Sequence, residues 1–197
     1  MSWWKKTEED GIARLAFELP NWLVEWEQTL PRKLAGDEEA MRVAVSAAAL
    51  NVVKESGGPF GAVIIDSTTG ELISVGVNLV VSAGSSVLHA EMVAIMRAQK
   101  VAKFYKVGGA AEIATTLYTS AEPCAMCMGA IPWSGIRRVV CGASDADVRA
   151  IGFDEGDKPS EWVSAYRQRG IEVSTGVLHD EAVKVLQTYQ AQDGAHY

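Results

Sequence analysis

The stretch Pro123-Cys124-Ala125-Met126-Cys127 follows the segment Thr115 to Ser120, whose β-branched and aromatic residues predict a strand. Proline fits the start of a helix, because its missing N–H costs nothing there. Cys124 and Cys127 are three residues apart, so in one helical turn their sulfurs share a face and can hold one metal ion. The helix N-terminus favours thiolates over thiols. A strand leading directly into a metal-binding helix predicts an α/β fold.

A second short string, His89-Ala90-Glu91, lies upstream and supplies a third ligand. One imidazole and two thiolates match a catalytic zinc, which keeps a fourth position open for water. Glu91 is two residues from His89, a spacing that places it off the ligand face of a helix. We therefore interpret Glu91 as the acid/base beside the water that zinc activates, in the pattern H-x-E followed by P-C-x-x-C that is typical of zinc nucleobase deaminases.

Other readings of these strings remain open at this point. A lone C-x-x-C is often half of a structural zinc site or a redox pair, and a lone His-x-Glu is often only the polar start of a helix. A structural zinc site is usually closed by a fourth Cys or His. The remaining cysteine, Cys141, lies in an apolar run and is predicted to be a small core residue.

Hydrophobic periodicity elsewhere predicts alternating helices and strands. Asp37 is expected to cap the first helix of the series, Pro132 to end the Cys124 helix early, and the last strand to run parallel to its neighbour. The predicted fold is a three-layer α/β/α sandwich around a mixed five-stranded sheet. Predicted helices cover 37–56, a segment from His89, a segment from Cys124, 161–168 and 179–192, and predicted strands cover 60–65, 71–81, 115–120, 136–141 and 171–174.

Composition limits the class of protein. The chain has 197 residues, 48% of them apolar, a net charge of −7 and three cysteines. These values predict one catalytic domain over residues 37–197, a reducing, cytoplasmic location, no nucleic-acid partner and no membrane span. Residues 1–36 form a Trp-rich extension, which we expect to pack on the domain or at a subunit interface. Its tryptophans are Trp3, Trp4, Trp22 and Trp26.

The motifs and the order of elements resemble the cytidine deaminase-like superfamily over about residues 37–190. Three further strings resemble its bacterial guanine deaminase branch. These are Gly57-Gly58-Pro59-Phe60-Gly61-Ala62-Val63, Asn78 shortly before His89, and Ile151-Gly152-Phe153-Asp154-Glu155. The resemblance implies one zinc ion per subunit held by His89, Cys124 and Cys127, a nucleobase substrate and a homodimer.

The resemblance also implies roles for individual residues. Phe60 would pack on the face of the base, Asn78 would hydrogen-bond its polar edge, and the backbone at Ala62 would lie close to it. Phe153 would form part of the pocket wall. Relatives commonly carry Asp-Asp where this chain has Asp154-Glu155, and counting from Cys124 favours Glu155 as the second acid that touches the exocyclic amine.

Chemistry supports two carboxyl groups independently of the resemblance. Deamination of guanine at C2 must protonate a ring nitrogen, take a proton from water and convert the amine into ammonia. Glu91 can serve the ring nitrogen and the water, and Glu155 the amine. The competing interpretation is that Asp154, Glu155 and Asp157 form a solvated acidic turn.

The resemblance implies that His196 or Tyr197 closes the site, since relatives often cover the pocket of a neighbouring subunit with this segment; the alternative is a frayed terminus. Hydrolysis of guanine to xanthine and ammonia is the predicted activity. Two alternatives stay open: a related deaminase acting on cytosine compounds, an aminotriazine or transfer-RNA adenosine, and a structural zinc module or catalytically silent binding protein.

Overall fold

The computed structural model describes residues 16–197. Trp3 and Trp4 lie outside the described residues. The helices are α1 (Asn21–Glu27), α2 (Gly36–Val53), α3 (Val80–Ala83), α4 (Ala90–Ala102), α5 (Ala125–Ser134), α6 (Asp145–Ala150), α7 (Trp162–Gln168) and α8 (His179–Ala191). The strands are β1 (Gly61–Asp66), β2 (Leu72–Val77), β3 (Thr115–Ala121), β4 (Arg138–Ala143) and β5 (Glu172–Ser174).

The five strands form one mixed sheet in the order β2-β1-β3-β4-β5. Strand β1 is antiparallel to β2 and β3, whereas β3, β4 and β5 are parallel. The sheet has a hydrophobic core on each of its two faces. Successive residues of β1 contribute to opposite cores, because successive side chains of a strand point to opposite faces. Val63 belongs to the core that includes α2 and α8, and Ile64 to the core that includes α4, α5 and α7. The predicted three-layer sandwich is therefore confirmed.

Strand β2 ends four residues earlier than predicted. The carbonyl of Asn78 accepts hydrogen bonds from the side chain of Asn51, and Asn78 Oδ1 accepts one from the N–H of Val80. These bonds replace strand pairing and turn the chain into α3. The prediction that residues 78–81 are extended was wrong because the side chains of Asn51 and Asn78 form hydrogen bonds with the backbone at this point.

Helix α5 passes through Pro132 and ends at Ser134, so the prediction of an early end was also wrong. A proline inside a helix leaves the carbonyl four residues earlier without its usual donor. Here that carbonyl belongs to Met128, and the hydroxyl of Tyr166 on α7 donates to it over 2.8 Å. A tertiary contact therefore compensates for the lost helical bond.

Two further differences concern helix starts. Ala35, not Asp37, is the N-cap of α2, and the carboxylate of Asp37 instead pairs with Arg138. Helix α6 was not predicted, although Ser144 and Asp147 form a capping box at its start. Helix α1 places Trp22 and Trp26 against the core on the α2 side of the sheet. Over residues 16–197, no helix has the length and apolar character that a bilayer span requires.

Candidate active site

Two helix starts converge on one point. His89 is the N-cap of α4 and Cys124 is the N-cap of α5, and both have extended backbone angles. Helix α4 follows β2 and the short helix α3, and α5 follows β3, so the sheet brings the N-termini of α4 and α5 together. At the N-termini of α4 and α5, backbone N–H groups without a helical partner favour negative charge on the residues around them.

The three predicted ligands lie together. The ligand atoms of His89, Cys124 and Cys127 are all within 4.8 Å of one another, and Cys124 Sγ is 3.5 Å from His89 Nδ1. Cys127 is fully buried and Cys124 nearly so. One imidazole and two thiols at this separation fit a tetrahedral zinc with one open position. These residues would hold the metal.

Hydrogen bonds from Cys127 and His89 lower the pKa of Cys124 to about 4, although burial acts in the opposite direction. The pKa of Cys127 is raised by its hydrogen bond with Cys124 and by burial. The two sulfurs therefore differ in how readily they lose a proton. Zinc binding requires both sulfurs as thiolates and releases the protons they carry.

Glu91 lies in the first turn of α4 and is buried with 6% of its surface exposed. Burial raises the pKa of its carboxyl group, and the nearby Cys124 thiolate raises it further. A buried carboxyl group with a raised pKa beside the metal ligands suits general acid/base chemistry.

A closed cavity lies beside these groups. Its volume is about 20 Å³, room for roughly one water molecule. Several residues predicted for the site line it, together with Thr119, Ala121 and Glu122. The predicted residues among its walls are Phe60, Asn78, His89, Glu91, Cys124, Phe153, Asp154, Glu155 and Tyr197.

Glu155, and not Asp154, turns its carboxyl group inward. Glu155 is 6% exposed, and its Oε2 has no hydrogen-bond partner among residues 16–197. Burial, with the charges of Cys124 and Glu91, raises the pKa of Glu155 to about 8. The Asp154 side chain is 87% exposed and accepts a hydrogen bond from the N–H of Gly156. Asp154 therefore reaches the cavity only at its edge. The interpretation as a solvated acidic turn fits the exposed residues Asp154 and Asp157, but not the buried Glu155.

The aromatic walls meet at right angles. The ring centroids of Phe60 and Phe153 are 5.0 Å apart in an edge-to-face arrangement. Asn78 is fully buried beside them, and its Nδ2 has no hydrogen-bond partner within the described part of the chain. An orphan donor in a cavity is a place for a ligand acceptor, because leaving it unpaired is costly.

Ala62 is placed differently from the other predicted residues. It pairs with Gly76 and Thr119 inside the sheet, and its side chain belongs to the buried cluster that contains Ala90 and Ala94. Ala62 is not among the residues that line the cavity. The sheet therefore holds Ala62 within the core.

The C-terminal segment folds over the cavity of its own chain. The Tyr197 ring centroid is 5.2 Å from that of Phe153 and 6.3 Å from that of His89. His196 Nε2 is 2.8 Å from the carbonyl oxygen of Ile151. The hydroxyl of Tyr189 holds the segment by donating to the carbonyl of Ala195 over 2.7 Å.

A family model described as the cytidine and deoxycytidylate deaminase zinc-binding region matches residues 34–143. That span contains all three ligands and Glu91. The chain belongs to the cytidine and deoxycytidylate deaminase family. It is a zinc-dependent hydrolytic deaminase.

Relatives of this deaminase are similar over most of its length. Guanine deaminase of Bacillus subtilis is 38% identical over 130 residues, 63% of this chain and 79% of that protein. A tRNA-specific adenosine deaminase of Haemophilus influenzae is 34% identical over 163 residues, 78% and 82% of the two chains. The solved structure of guanine deaminase from Nitrosomonas europaea has a TM-score of 0.85 at 40% identity and covers 90% of this chain and 97% of its own.

Sequence reasoning missed residues that support the deaminase site. Glu122 and Lys158 form an ion pair next to the Glu155 loop, and Asn51 holds the backbone of Asn78. Each is an ordinary polar residue in the sequence. In the sequence, the only indication that any of them supports the site is that Glu122 stands directly before Pro123-Cys124.

Proposed function

We propose that this deaminase converts guanine and water to xanthine and ammonia. The observation that carries the proposal is the placement of two buried carboxyl groups, Glu91 and Glu155, in one cavity beside the three metal ligands. Guanine needs proton transfer at a ring nitrogen and at the exocyclic amine, and each carboxyl group is available for one of them.

Similar structures support the same assignment. Two of them, solved with 8-azaguanine, are variants in which an asparagine and a glutamate are substituted, and these two positions are 77 residues apart. Asn78 and Glu155 of this chain have the same separation. The second of these positions is a glutamate in that neighbour, as it is in this chain, which supports Glu155 as the second acid.

In the proposed mechanism, zinc when bound supplies a Lewis acid that makes water nucleophilic near neutral pH. Glu91 accepts the proton of the attacking water and delivers it to the ring nitrogen beside C2. A bond forms between the water oxygen and C2. Glu155, protonated through its raised pKa of about 8, gives its proton to the amine, and the C2–N bond breaks to release ammonia. As the C2=O bond of xanthine forms, the proton of the new C2 hydroxyl passes to Glu155 and restores it.

Binding of the base involves the remaining walls. Phe60 stacks on the base and Phe153 closes its edge, while Asn78 Nδ2 donates to an acceptor atom of the base. The cavity is smaller than a purine, so Tyr197, which lines it, and the C-terminal residues that carry Tyr197 must move when the base enters. Return of these residues then excludes water from the reacting groups.

We also propose that the protein is a homodimer in a reducing, cytoplasmic compartment. Both zinc-binding cysteines must remain thiolates, which such a compartment favours. Trp133 on α5 is 78% exposed, and large exposed aromatic side chains are typical of protein interfaces. The net charge of −7 and the closed cavity disfavour a polynucleotide substrate.

The test is ammonia release by the zinc-loaded protein from guanine, cytosine, cytidine, an aminotriazine and a transfer-RNA anticodon hairpin. Guanine is expected to be the preferred substrate. Glu91→Gln, with its zinc content measured, is expected to lower kcat by about 10³-fold. No release from any substrate, or equal release by Glu91→Gln, overturns the enzyme mechanism. Preference for the hairpin or for cytidine overturns the choice of guanine.

A further inference from the structure

One buried amide lies behind the base-binding wall. Asn51 is on α2 and has no exposed surface. Its Nδ2 donates to the carbonyl of Asn78 over 2.8 Å and to the carbonyl of Gly58 over 2.9 Å. Its Oδ1 accepts a hydrogen bond from Ser56 Oγ over 2.9 Å. Both donors of the amide are therefore used on two separate segments of the cavity wall.

The hydrogen bonds of Asn78 leave one group free. Its N–H donates to the carbonyl of Phe60, its carbonyl accepts from Asn51, and its Oδ1 accepts from the N–H of Val80. The Val80 contact also identifies which end of the amide is the oxygen. Asn78 Nδ2 thus remains as the buried donor that lines the cavity, with no partner among the described residues.

Gly57 and Gly58 permit this close approach. A Cβ atom at Gly57 would lie 1.9 Å from the Asn78 carbonyl oxygen and 2.8 Å from Asn51 Nδ2. A Cβ atom at Gly58 would lie 2.0 Å from the Tyr197 hydroxyl. The Gly58 carbonyl, held by Asn51, also accepts a hydrogen bond from the N–H of Phe60. One amide therefore fixes the segment that carries Phe60 as well as Asn78.

The same network reaches the N-terminal segment. Trp22 Nε1 on α1 donates to Ser56 Oγ over 2.9 Å, and Ser56 Oγ donates to Asn51 Oδ1. Three side chains, in the order Trp22, Ser56 and Asn51, thus connect α1 to the backbone carbonyl of Asn78 at the cavity. Inside a protein, such a chain holds its members in one arrangement because each unpaired member would be costly.

We propose that Asn51 is a positioning residue for recognition of the base. It holds Asn78 Nδ2 toward the ligand and the Phe60 segment against it, and Trp22 supports it through Ser56. The inference rests on the proposed function for the identity of the base. It assigns a role in substrate selection to a residue that does not touch the substrate.

The test is a double-mutant cycle with Asn51→Ala, Asn78→Ala and the pair, measured with guanine on zinc-loaded protein. Asn51→Ala is expected to raise KM about tenfold or more, the effect of one lost hydrogen bond, with a smaller change in kcat. In the Asn78→Ala background the same substitution is expected to change kcat/KM by less than about threefold. An equal loss in both backgrounds, or no loss in either, overturns the proposal.

Milder variants cover the case in which Asn51→Ala does not fold. Ser56→Ala removes only a hydroxyl, and Trp22→Phe removes the indole N–H while keeping an aromatic ring; each is expected to raise KM about threefold with unchanged zinc content. Ser74→Ala removes a buried hydroxyl that bonds the carbonyl of Ala94 outside the site, and is the matched control. If Ser56→Ala and Trp22→Phe shift KM no more than Ser74→Ala, the proposal is overturned.

Failure of the proposed function gives a different result. In that case the wild-type protein releases no ammonia from guanine but deaminates another base of the panel. The same cycle run with that base then decides the role of Asn51: a loss that depends on Asn78 supports it, and an independent loss overturns it.

Discussion

Lys158 forms an ion pair with Glu122 at 3.4 Å, and this contact joins the loop that carries Glu155 to the strand end that leads into Cys124. The Lys158 side chain is only 6% exposed and also pairs with Asp145 at 3.0 Å. The N–H of Ala125 binds the same loop by donating to the carbonyl of Glu155 over 2.9 Å. The position of the second acid therefore depends on contacts with the start of the metal helix.

Replacing Lys158 by Met is expected to lower both stability and turnover. It leaves the partly buried carboxylate of Glu122 without its cation and removes one of the two cations of Asp145, which keeps Arg149, at a cost of about 3 kcal/mol in the free energy of unfolding. The loop loses its anchor, so kcat should fall more than KM rises. Urea unfolding and steady-state kinetics measure the two effects. Lys184→Met, an exposed substitution on α8, is the control, and equal behaviour of the two variants would contradict the anchoring role.

Removing residues 195–197 is expected to raise KM for guanine about tenfold and to lower kcat. The aromatic contact of Tyr197 with Phe153 and the hydrogen bond of His196 are lost, so the cavity stays open to water. Steady-state kinetics with guanine are the measurement, and Gln190→Ala, exposed on α8, is the control. Unchanged turnover and KM after the deletion would remove the closing role of this segment.

Lowering the pH is expected to weaken the ion pair between Asp37 and Arg138. Arg138 binds both carboxylate oxygens of Asp37 at 2.6 Å and lowers the pKa of that carboxyl group below its usual value. Because the folded pKa is depressed, the contribution is complete above the unfolded pKa of about 3.9 and disappears as the pH falls through the folded value. More than a third of the Asp37 side chain is exposed, so screening keeps the effect near 1 kcal/mol.

The measurement is urea unfolding of the wild type and Asp37→Asn at pH 7 and near pH 3. The variant is expected to be less stable at pH 7, and the difference should narrow at the acid end. Glu25→Gln, an exposed carboxylate on α1, is the matched control. A difference of constant size across this range would show that the Asp37 charge is not responsible.

Strand β2 is an edge of the sheet, and α1 covers part of it. The N–H of Val75 donates to Glu27 Oε1 over 3.1 Å, and its carbonyl accepts from Arg97, which also pairs with Glu27 at 2.6 Å. Unpaired edge groups invite pairing with another chain. Glu27→Ala is expected to cost about 2 kcal/mol of unfolding free energy and to increase self-association in light scattering.

Glu27→Gln is the matched variant for this edge, because its amide oxygen can still accept from the N–H of Val75. It is expected to lose less stability than Glu27→Ala and to remain as dispersed as the wild type. Equal aggregation of the two variants would assign the effect to the lost ion pair with Arg97 instead of the uncovered backbone.

Local sequence was sufficient for the metal ligands and for most elements of the fold. Helical spacing of Cys124 and Cys127 places two sulfurs on one face, and the apolar runs around them define the strands that deliver them. These features depend on neighbours within one helical turn or one strand, so the residue pattern alone predicts them. Glu155 was chosen over Asp154 through resemblance to relatives, and its burial agrees with that choice.

Tertiary contacts decided the features that depend on distant residues. Pro132 stays inside α5 because Tyr166 bonds the carbonyl that proline leaves free, and β2 ends at Val77 because Asn78 and Asn51 bind the backbone there. Sequence alone determined which atoms can bind zinc and carry protons. Only the tertiary structure decided which carboxyl group faces the cavity and which residues hold it in place. The contacts responsible join residues that are tens of positions apart in the sequence, and a local residue pattern does not predict which distant residues come into contact.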